Sequence, residues 1–322
     1  MPLQTAYNPA EDISNLNGKV IVITGGTTGL GAQTIRTLAQ HRPSQIFFTG
    51  RNVSASESVI QAGKAISPTT TFTFIPCDQN SLSSIQTAAR LITSKTPNLD
   101  ILICNAGIMA SPPGLTADGY EVQFGINFLA HALWIKLLLP SLERSSTTTS
   151  SSSPSSNEPS DPRIILLTST SFQIAPAAGI IFSDLQTPQE NIGFQAKFTR
   201  YGQSKLALVL YAKALAKRYE RVTTVAVHPG VINTGIITEQ PFWAWLWLRL
   251  FINLGLLGAE LSLEEGAYTT CWAATSPRSK DLVSGGLYEP VGKPIADTKQ
   301  SGDELLQERL WEWTQAQLEA YT

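Results

Sequence analysis

The chain has 322 residues, a formal net charge of -2 and only 15% charged residues. That charge density lies below the roughly 25% of ordinary soluble domains, and no basic excess is available to neutralise a phosphate backbone, so nucleic acid is not expected as a partner. Cys77, Cys104 and Cys271 sit in or beside apolar segments without metal-ligand spacing, which points to buried thiols, a reducing compartment and no metal site.

Residues 1–17 lack periodicity and are expected to form an arm leading into the first strand. They carry Glu11 and Asp12 but no basic stretch or long apolar core, so no secretory signal is expected and the cytoplasm is the default. The apolar run from Lys19 to Ile23 then breaks into Thr24-Gly25-Gly26-Thr27-Thr28-Gly29-Leu30-Gly31, and Ala32, Ile35, Leu38 and Ala39 follow at helical spacing. A strand that ends in closely spaced glycines and feeds a helix presents backbone N–H groups to a phosphate with no side chain in the way. Gly25, Thr27, Thr28, Gly29, Leu30 and Gly31 are therefore the candidate cradle of a dinucleotide pyrophosphate. The Gly-x-x-x-Gly-x-Gly spacing differs from the commoner Gly-x-Gly-x-x-Gly.

A second strand is expected at Gln45 to Thr49, with Arg51 just beyond it. An acidic residue there would bind a ribose 2′-OH, whereas a guanidinium suits a 2′-phosphate, so NADP(H) is the expected cofactor; the alternative is a solvated surface arginine. After a polar-rich helix from Ala55 to Ile66, a third strand from Thr71 to Pro76 runs into Asp78. That carboxylate stands before a helical pattern from Ser81 to Ile92, where it could cap the helix start. Asp100 to Cys104 is an almost unbroken apolar run, as in a strand buried on both faces. It ends in Asn105-Ala106-Gly107, small residues that let the backbone approach a cofactor ribose. Asn127 lies among Phe124, Ile126 and Phe128 in the helical region Asp118 to Leu139, a costly placement unless its hydrogen bonds are met. His131, one turn on, reads as structural.

Residues 145–161 are nearly all Ser, Thr and Pro and cannot bury enough apolar area to offset ordering, so a disordered insertion remote from the ligand crevice is expected. Arg163 to Thr168 is the next buried strand, with Ser169 at its end. The connection from Phe172 to Arg200, with Phe172, Ile180, Phe182, Phe194 and Phe198, could wall an apolar pocket. Tyr201 and Lys205, four apart, share a helix face. A free phenol titrates near ~10, and a neighbouring ammonium favours its ionised form, which would ready Tyr201 to exchange a proton with a carbonyl or alcohol oxygen. Arg221 to Val227 forms a further strand leading into His228-Pro229-Gly230-Val231. Residues 241–258, the centre of an apolar segment 236–262, approach a membrane span in length but are interrupted by Arg249 and Gly255. A substrate lid carrying Trp243 and Trp247 is expected, with a membrane-surface helix or an oligomer contact as alternatives. A helix from Glu264 to Thr275, a short strand from Gly286 to Tyr288 and a polar helix from Asp303 to Tyr321 complete the chain.

The ordered set of the glycine segment, Asn105-Ala106-Gly107, Ser169 and Tyr201-x-x-x-Lys205 resembles the classical short-chain dehydrogenase/reductase family, near its retinol-dehydrogenase-like branch, over about residues 17 to 290. The resemblance implies an α/β fold: a single Rossmann-type domain over residues 18–322, a doubly wound parallel sheet with helices on both faces. It implies Asn127, Ser169, Tyr201 and Lys205 as the catalytic set, with Tyr201 as acid/base and Ser169 bonding the same substrate oxygen. Asn127 would help to hold the lysine and a water chain. It adds Asp78 at the adenine and Pro229, Val231 and Thr234 at the nicotinamide as cofactor contacts. Where the family more often has a second asparagine, this chain has Cys104. The activity implied is NADPH-dependent hydride transfer to or from a carbonyl or alcohol of an apolar small molecule, with homo-oligomers common. Two other readings are an isomerase or cyclase acting on a reactive intermediate and a non-catalytic cofactor-sensing protein.

Overall fold

A computed structural model of the chain describes residues 7–147, 161–192, 195–232, 260–277 and 281–321. β1 (Val20–Ile23), β2 (Gln45–Gly50), β3 (Thr71–Pro76), β4 (Ile101–Cys104), β5 (Arg163–Leu167) and β6 (Thr223–Val227) join β9 (Leu287–Glu289) and β10 (Lys293–Pro294) in one eight-stranded sheet of order β10-β9-β6-β5-β4-β1-β2-β3. The central strands β1, β4 and β5 are built from runs that are apolar at nearly every position, whereas β2, β3 and β6 mix Gln, Thr or Pro with their apolar residues. All pairings are parallel except that of β10 with β9. A separate two-stranded pair is formed by β7 (Val231–Ile232) and β8 (Glu260–Leu261).

Period-two alternation divides the strand side chains between two cores. Val22, Phe47, Leu102, Ile164 and Leu166 face a cluster with α4 (Leu82–Lys95), α6 (Ala130–Thr147), α7 (Ala196–Arg218) and the C-terminal helix α9 (Glu304–Gln317). Ile21, Ile23, Phe48, Ile103, Ile165 and Val225 face the opposite cluster with α2 (Gly29–Ala39), α3 (Val53–Ile66) and α8 (Leu263–Thr275). Both faces are thereby covered, which explains why the central strands β1, β4 and β5 read as nearly continuous apolar runs. The expected doubly wound fold is borne out, with one antiparallel edge strand added to the parallel sheet.

Strand order reverses between β1 and β4, and the carboxyl ends of strands at such a switch point open a crevice. The termini differ from expectation in one respect. The N-terminal arm contains a short helix, α1 (Pro9–Asp12), capped by Asn8; Ile13 and Leu16 are buried, and Tyr7 meets Tyr268 edge-on with ring centroids 6.0 Å apart. The helix expected from Asp118 begins later. Asp118 instead lies in a turn and accepts from the Leu82 N–H at 2.8 Å, and a helical run opens with α5 (Val122–Phe124), passes through a π-helical turn at Gly125–Leu129 and continues as α6. Val122–Thr147 is, among the described residues, the one helical run long and apolar enough to cross a membrane, and 78% of its most apolar window is buried inside the fold, as befits a core helix. Most of 145–161, most of 236–262 including Trp243 and Trp247, and Phe194 and Thr234 lie outside the described residues.

Candidate active site

A cleft of about 560 Å³ opens at the switch point, lined by Gly25, Thr27, Thr28, Gly29, Leu30, Gly50, Arg51, Asp78, Gln79, Asn105, Ala106, Gly107, Ile108 and Ile126 among others. Its size falls within the roughly 300–1,000 Å³ of small-molecule clefts. Gly25 on its floor is required by its conformation and its contacts, with φ +66° and a Cβ that would stand 2.9 Å from Ala106 Cα. Gly31 is required by packing, because its Cβ would lie 2.3 Å from the Gly25 carbonyl oxygen. At the start of α2, Thr28 is extended and makes no side-chain capping bond, so the amides of the first turn have no side-chain cap. Uncapped amides at the positive end of a helix fit a bound pyrophosphate, so the residues present are suited to a dinucleotide.

Beneath the cleft, Thr24 Oγ1 accepts from the amides of Asn105 and Ala106 at 2.9 and 3.0 Å, and Asn105 Nδ2 donates back to the Thr24 carbonyl at 2.8 Å. The glycine segment and the Asn105-Ala106-Gly107 turn are thus stitched together. His131, fully buried, joins this floor to the π-turn. Its Nδ1 lies 2.7 Å from the Asn127 carbonyl, which can only accept, so Nδ1 carries the proton and Nε2 is left to accept from Thr24 Oγ1 at 2.9 Å and Gln79 Nε2 at 3.2 Å. Burial is the main cause that pushes this imidazole down to about 4, with the Lys205 charge acting in the same direction. His131 and Gln79 therefore belong to the site's framework, which the sequence reading reached only as far as calling His131 structural.

Asp78 lines the cleft, and its Oδ1 accepts from the Asn80 amide at 3.0 Å. The cap of α4 is Ser81, not Asp78, so the carboxylate braces the turn ahead of the helix and reaches the cleft wall as well. Arg51 is exposed at the cleft mouth and makes no hydrogen bond or ion pair with any described residue.

Asn127, Ser169, Tyr201 and Lys205 lie close to one another behind the Gly107 end of the cleft, although none of the four is among the residues that line it. Asn127 is fully buried and saturated: Oδ1 accepts from the Ile108 amide at 2.8 Å, while Nδ2 donates to the Ile108 carbonyl and to Ser204 Oγ, each at 2.9 Å. A Cβ on Gly107 would stand 3.1 Å from Asn127 Oδ1 and 3.8 Å from Lys205 Nζ, which is how closely this turn approaches both side chains. Lys205 Nζ donates to the Leu167 carbonyl at 2.8 Å and lies 5.5 Å from the Tyr201 ring centroid. Ser169 sits just past β5, where its Oγ accepts from the Ser171 amide at 3.2 Å.

The electrostatics differ from the expectation that the lysine would lower the phenol. Burial pushes Tyr201 up to about 12, opposed by its hydrogen bond to Ser169, and burial pushes Lys205 down to about 7. Desolvation opposes charge on both groups, and a lysine whose own charge is disfavoured is a weak stabiliser of a phenolate.

Pro229 and Val231 follow β6 at the carboxyl edge of the sheet, half-buried, and do not line the described cleft. His228, buried at the same strand end, has an Nδ1 without a hydrogen-bond partner among the described residues, and burial pushes it down to about 4. The apolar wall expected from Phe172, Ile180 and Phe182 is not formed by them. Phe172 and Ile180 are buried in the core, and Phe182 packs against α9, with its ring centroid 6.1 Å from that of Trp313.

A glycine-floored crevice at the switch point of a parallel sheet, with a serine, tyrosine and lysine gathered at one end, defines a dinucleotide-dependent oxidoreductase architecture. Residues 19–153 match the short chain dehydrogenase family. An uncharacterised oxidoreductase of Schizosaccharomyces pombe is 35% identical over 94% of this chain and 86% of its own length. Mouse retinol dehydrogenase 11 is 30% identical over 92% of this chain and 85% of its own. Among solved structures, a blue fluorescent protein from a metagenomic library, in complex with NADPH, superposes with a TM-score of 0.63 over 88% of this chain and all of its own, at 24% identity. The chain belongs to the short-chain dehydrogenase/reductase family. It is an NAD(P)-dependent oxidoreductase acting between a carbonyl and an alcohol.

Proposed function

We propose that the protein is an NADPH-dependent reductase of ketones or aldehydes on apolar small molecules, or the corresponding alcohol dehydrogenase, working in the cytoplasm. The observation that carries this reading is the meeting of Ser169, Tyr201, Lys205 and Asn127 behind the end of the cleft that Arg51 enters from the other side. Gly25, Thr27 to Gly31, Asp78 and Asn105 to Gly107 hold the dinucleotide, whose nicotinamide supplies or receives the hydride. Arg51, unpaired at the mouth, is suited to a 2′-phosphate because a guanidinium binds such a group bidentately. An apolar substrate is in keeping with the relatives near the retinol-dehydrogenase branch and with the sparse charge of the chain.

Tyr201 donates the proton to the carbonyl oxygen in reduction. Burial keeps the phenol protonated at neutral pH, so the acid form is the one present although it is a weak acid, and Ser169, hydrogen-bonded to it, steadies the same oxygen. Lys205, fixed to the Leu167 carbonyl, stands where an ammonium can offset the charge left on the phenol as the proton departs. Asn127 holds the Ile108 loop and, through Ser204, the helix that bears both residues.

The test is Tyr201→Phe. Turnover should fall by about 10² to 10⁴, the worth of a positioned acid, while NADPH titrates with an unchanged Kd. Retention of most of the activity would refute the assignment.

A further inference from the structure

We propose that Arg200 is a positioning residue, a buried guanidinium that ties the segment carrying Asn127 and two loops to the first turns of α7, and so sets where Tyr201 stands. The reaction assigned to Tyr201 rests on the function proposed above; the brace itself does not.

Arg200 is 1% exposed and Glu121 is fully buried. Their Nε and Oε1 atoms stand 3.2 Å apart as an ion pair. The other two nitrogens are aimed at backbone from different parts of the chain: Nη1 donates to the Gln189 carbonyl at 3.1 Å and Nη2 to the Ser111 carbonyl at 3.0 Å. Ser111 lies four residues beyond Gly107, on the loop that forms the cleft wall. Gln189 lies in the long connection after Ser169. Glu121 caps α5 by accepting from the Phe124 amide at 2.7 Å, immediately before the π-turn that presents Asn127. One side chain therefore joins the segment that leads to Asn127, the loop after Gly107 and the connection that follows Ser169 to the start of the helix that bears Tyr201 and Lys205.

Two further facts make this brace more than a local contact. The α7 start has little support of its own, since Gln195 at its N-cap is left-handed, with φ +56°, and offers no side-chain capping bond. A second tie, Gln123 Nε2 to the Lys197 carbonyl at 2.8 Å, joins α5 and α7 on the same side. Moreover, a buried ion pair adds little net stability, because desolvating both charges offsets their attraction, and replacement by apolar residues of similar volume is often neutral or stabilising. A planar fork that bonds two backbone carbonyls and holds its Nε beside a carboxylate, though out of line for a hydrogen bond, specifies the placement of three segments, which an apolar side chain cannot do.

This contrast between stability and geometry supplies the experiment. The double variant Arg200→Met/Glu121→Leu removes both charges together. No unpaired charge is left behind, but the Gln189 and Ser111 carbonyls and the Phe124 amide lose their partners, so it should melt below the wild type while still folding, and kcat is read at a temperature well below both transitions. NADPH affinity should be unchanged, while kcat falls roughly 10- to 100-fold, the scale of a small misplacement of a reacting group. On the ligand-free protein, amide hydrogen exchange at residues 196–202 and 108–111 should quicken by roughly tenfold with no change in β4 and β5. Wild-type exchange and wild-type kcat in the double variant would overturn the proposal. If the double variant does not fold, Arg200→Lys is measured instead. It keeps a charge for Glu121, but a single ammonium cannot span the carboxylate and both carbonyls, so the same local loss of protection and drop in kcat are expected, and wild-type values of both would overturn the brace. A wild type without NADPH-dependent turnover would sink the functional reading and leave the exchange result to decide the brace alone.

Discussion

His131 offers a quantitative handle on the framework below the cleft. Its imidazole is neutral and buried, with Nδ1–H committed to the Asn127 carbonyl and Nε2 facing two donors, Thr24 Oγ1 and Gln79 Nε2. Protonation at Nε2 would set three donors against one another. The folded state therefore holds this group at about 4, against 6.5 when exposed, so between those values the unfolded chain binds the extra proton and stability falls as pH is lowered. The stabilisation is fully present above 6.5 and is lost towards 4; carried to about pH 4.5, the loss is about 2.5 kcal/mol. His228 acts in the same direction, and Glu121, which burial raises, acts in the opposite one. Both contributions are common to wild type and a His131 variant and cancel in the difference. His131→Gln, which can still donate to one side and accept from the other, should unfold in urea with a loss between about pH 7 and pH 4.5 that is smaller than the wild-type loss by about 2.5 kcal/mol. Tryptophan fluorescence reads the transition. Equal losses in the two proteins would refute the assignment of a neutral, doubly hydrogen-bonded imidazole.

Two further outcomes concern the cofactor. Arg51→Asp should move the ratio of kcat/KM values for NADPH over NADH downward by roughly 10- to 100-fold, because the partner of a 2′-phosphate becomes an acceptor for a 2′-OH; an unchanged ratio would return Arg51 to a solvated surface role. Gly31→Ala should lower stability by about 1–3 kcal/mol and weaken NADPH binding, since the new Cβ lies 2.3 Å from the Gly25 carbonyl oxygen, and thermal unfolding with and without NADPH would separate the two effects.

The sheet was legible in the sequence because its central strands lie between two helical layers, so burial on both faces leaves unbroken apolar runs at Ile101–Cys104 and from Ile164 to Leu167. The antiparallel edge pair Lys293–Pro294 was not legible, since two exposed residues carry no period. The helix containing Asn127 was expected to begin four residues too early because Asp118 and Gly119 continue its polar-apolar rhythm. What ends the helix at Val122 is tertiary: Asp118 is drawn to the Leu82 amide, and Glu121 takes the capping position. The π-turn at Gly125–Leu129 is a change of one residue in hydrogen-bond register, a difference that apolar spacing does not record.

The four candidate catalytic residues could be placed from motif order, but their electrostatics could not, because a pattern of residue types says nothing about depth. Spacing four apart on a helix puts a lysine near a tyrosine, and in water the cation would favour the phenolate. Here Lys205 gives its bond to the Leu167 carbonyl, and its own charge is the disfavoured one, while the phenol is driven up to about 12. The ligand-free arrangement therefore favours a protonated tyrosine beside a lysine that titrates near neutrality. As pH rises through about 7 the lysine loses its charge before the tyrosine can ionise.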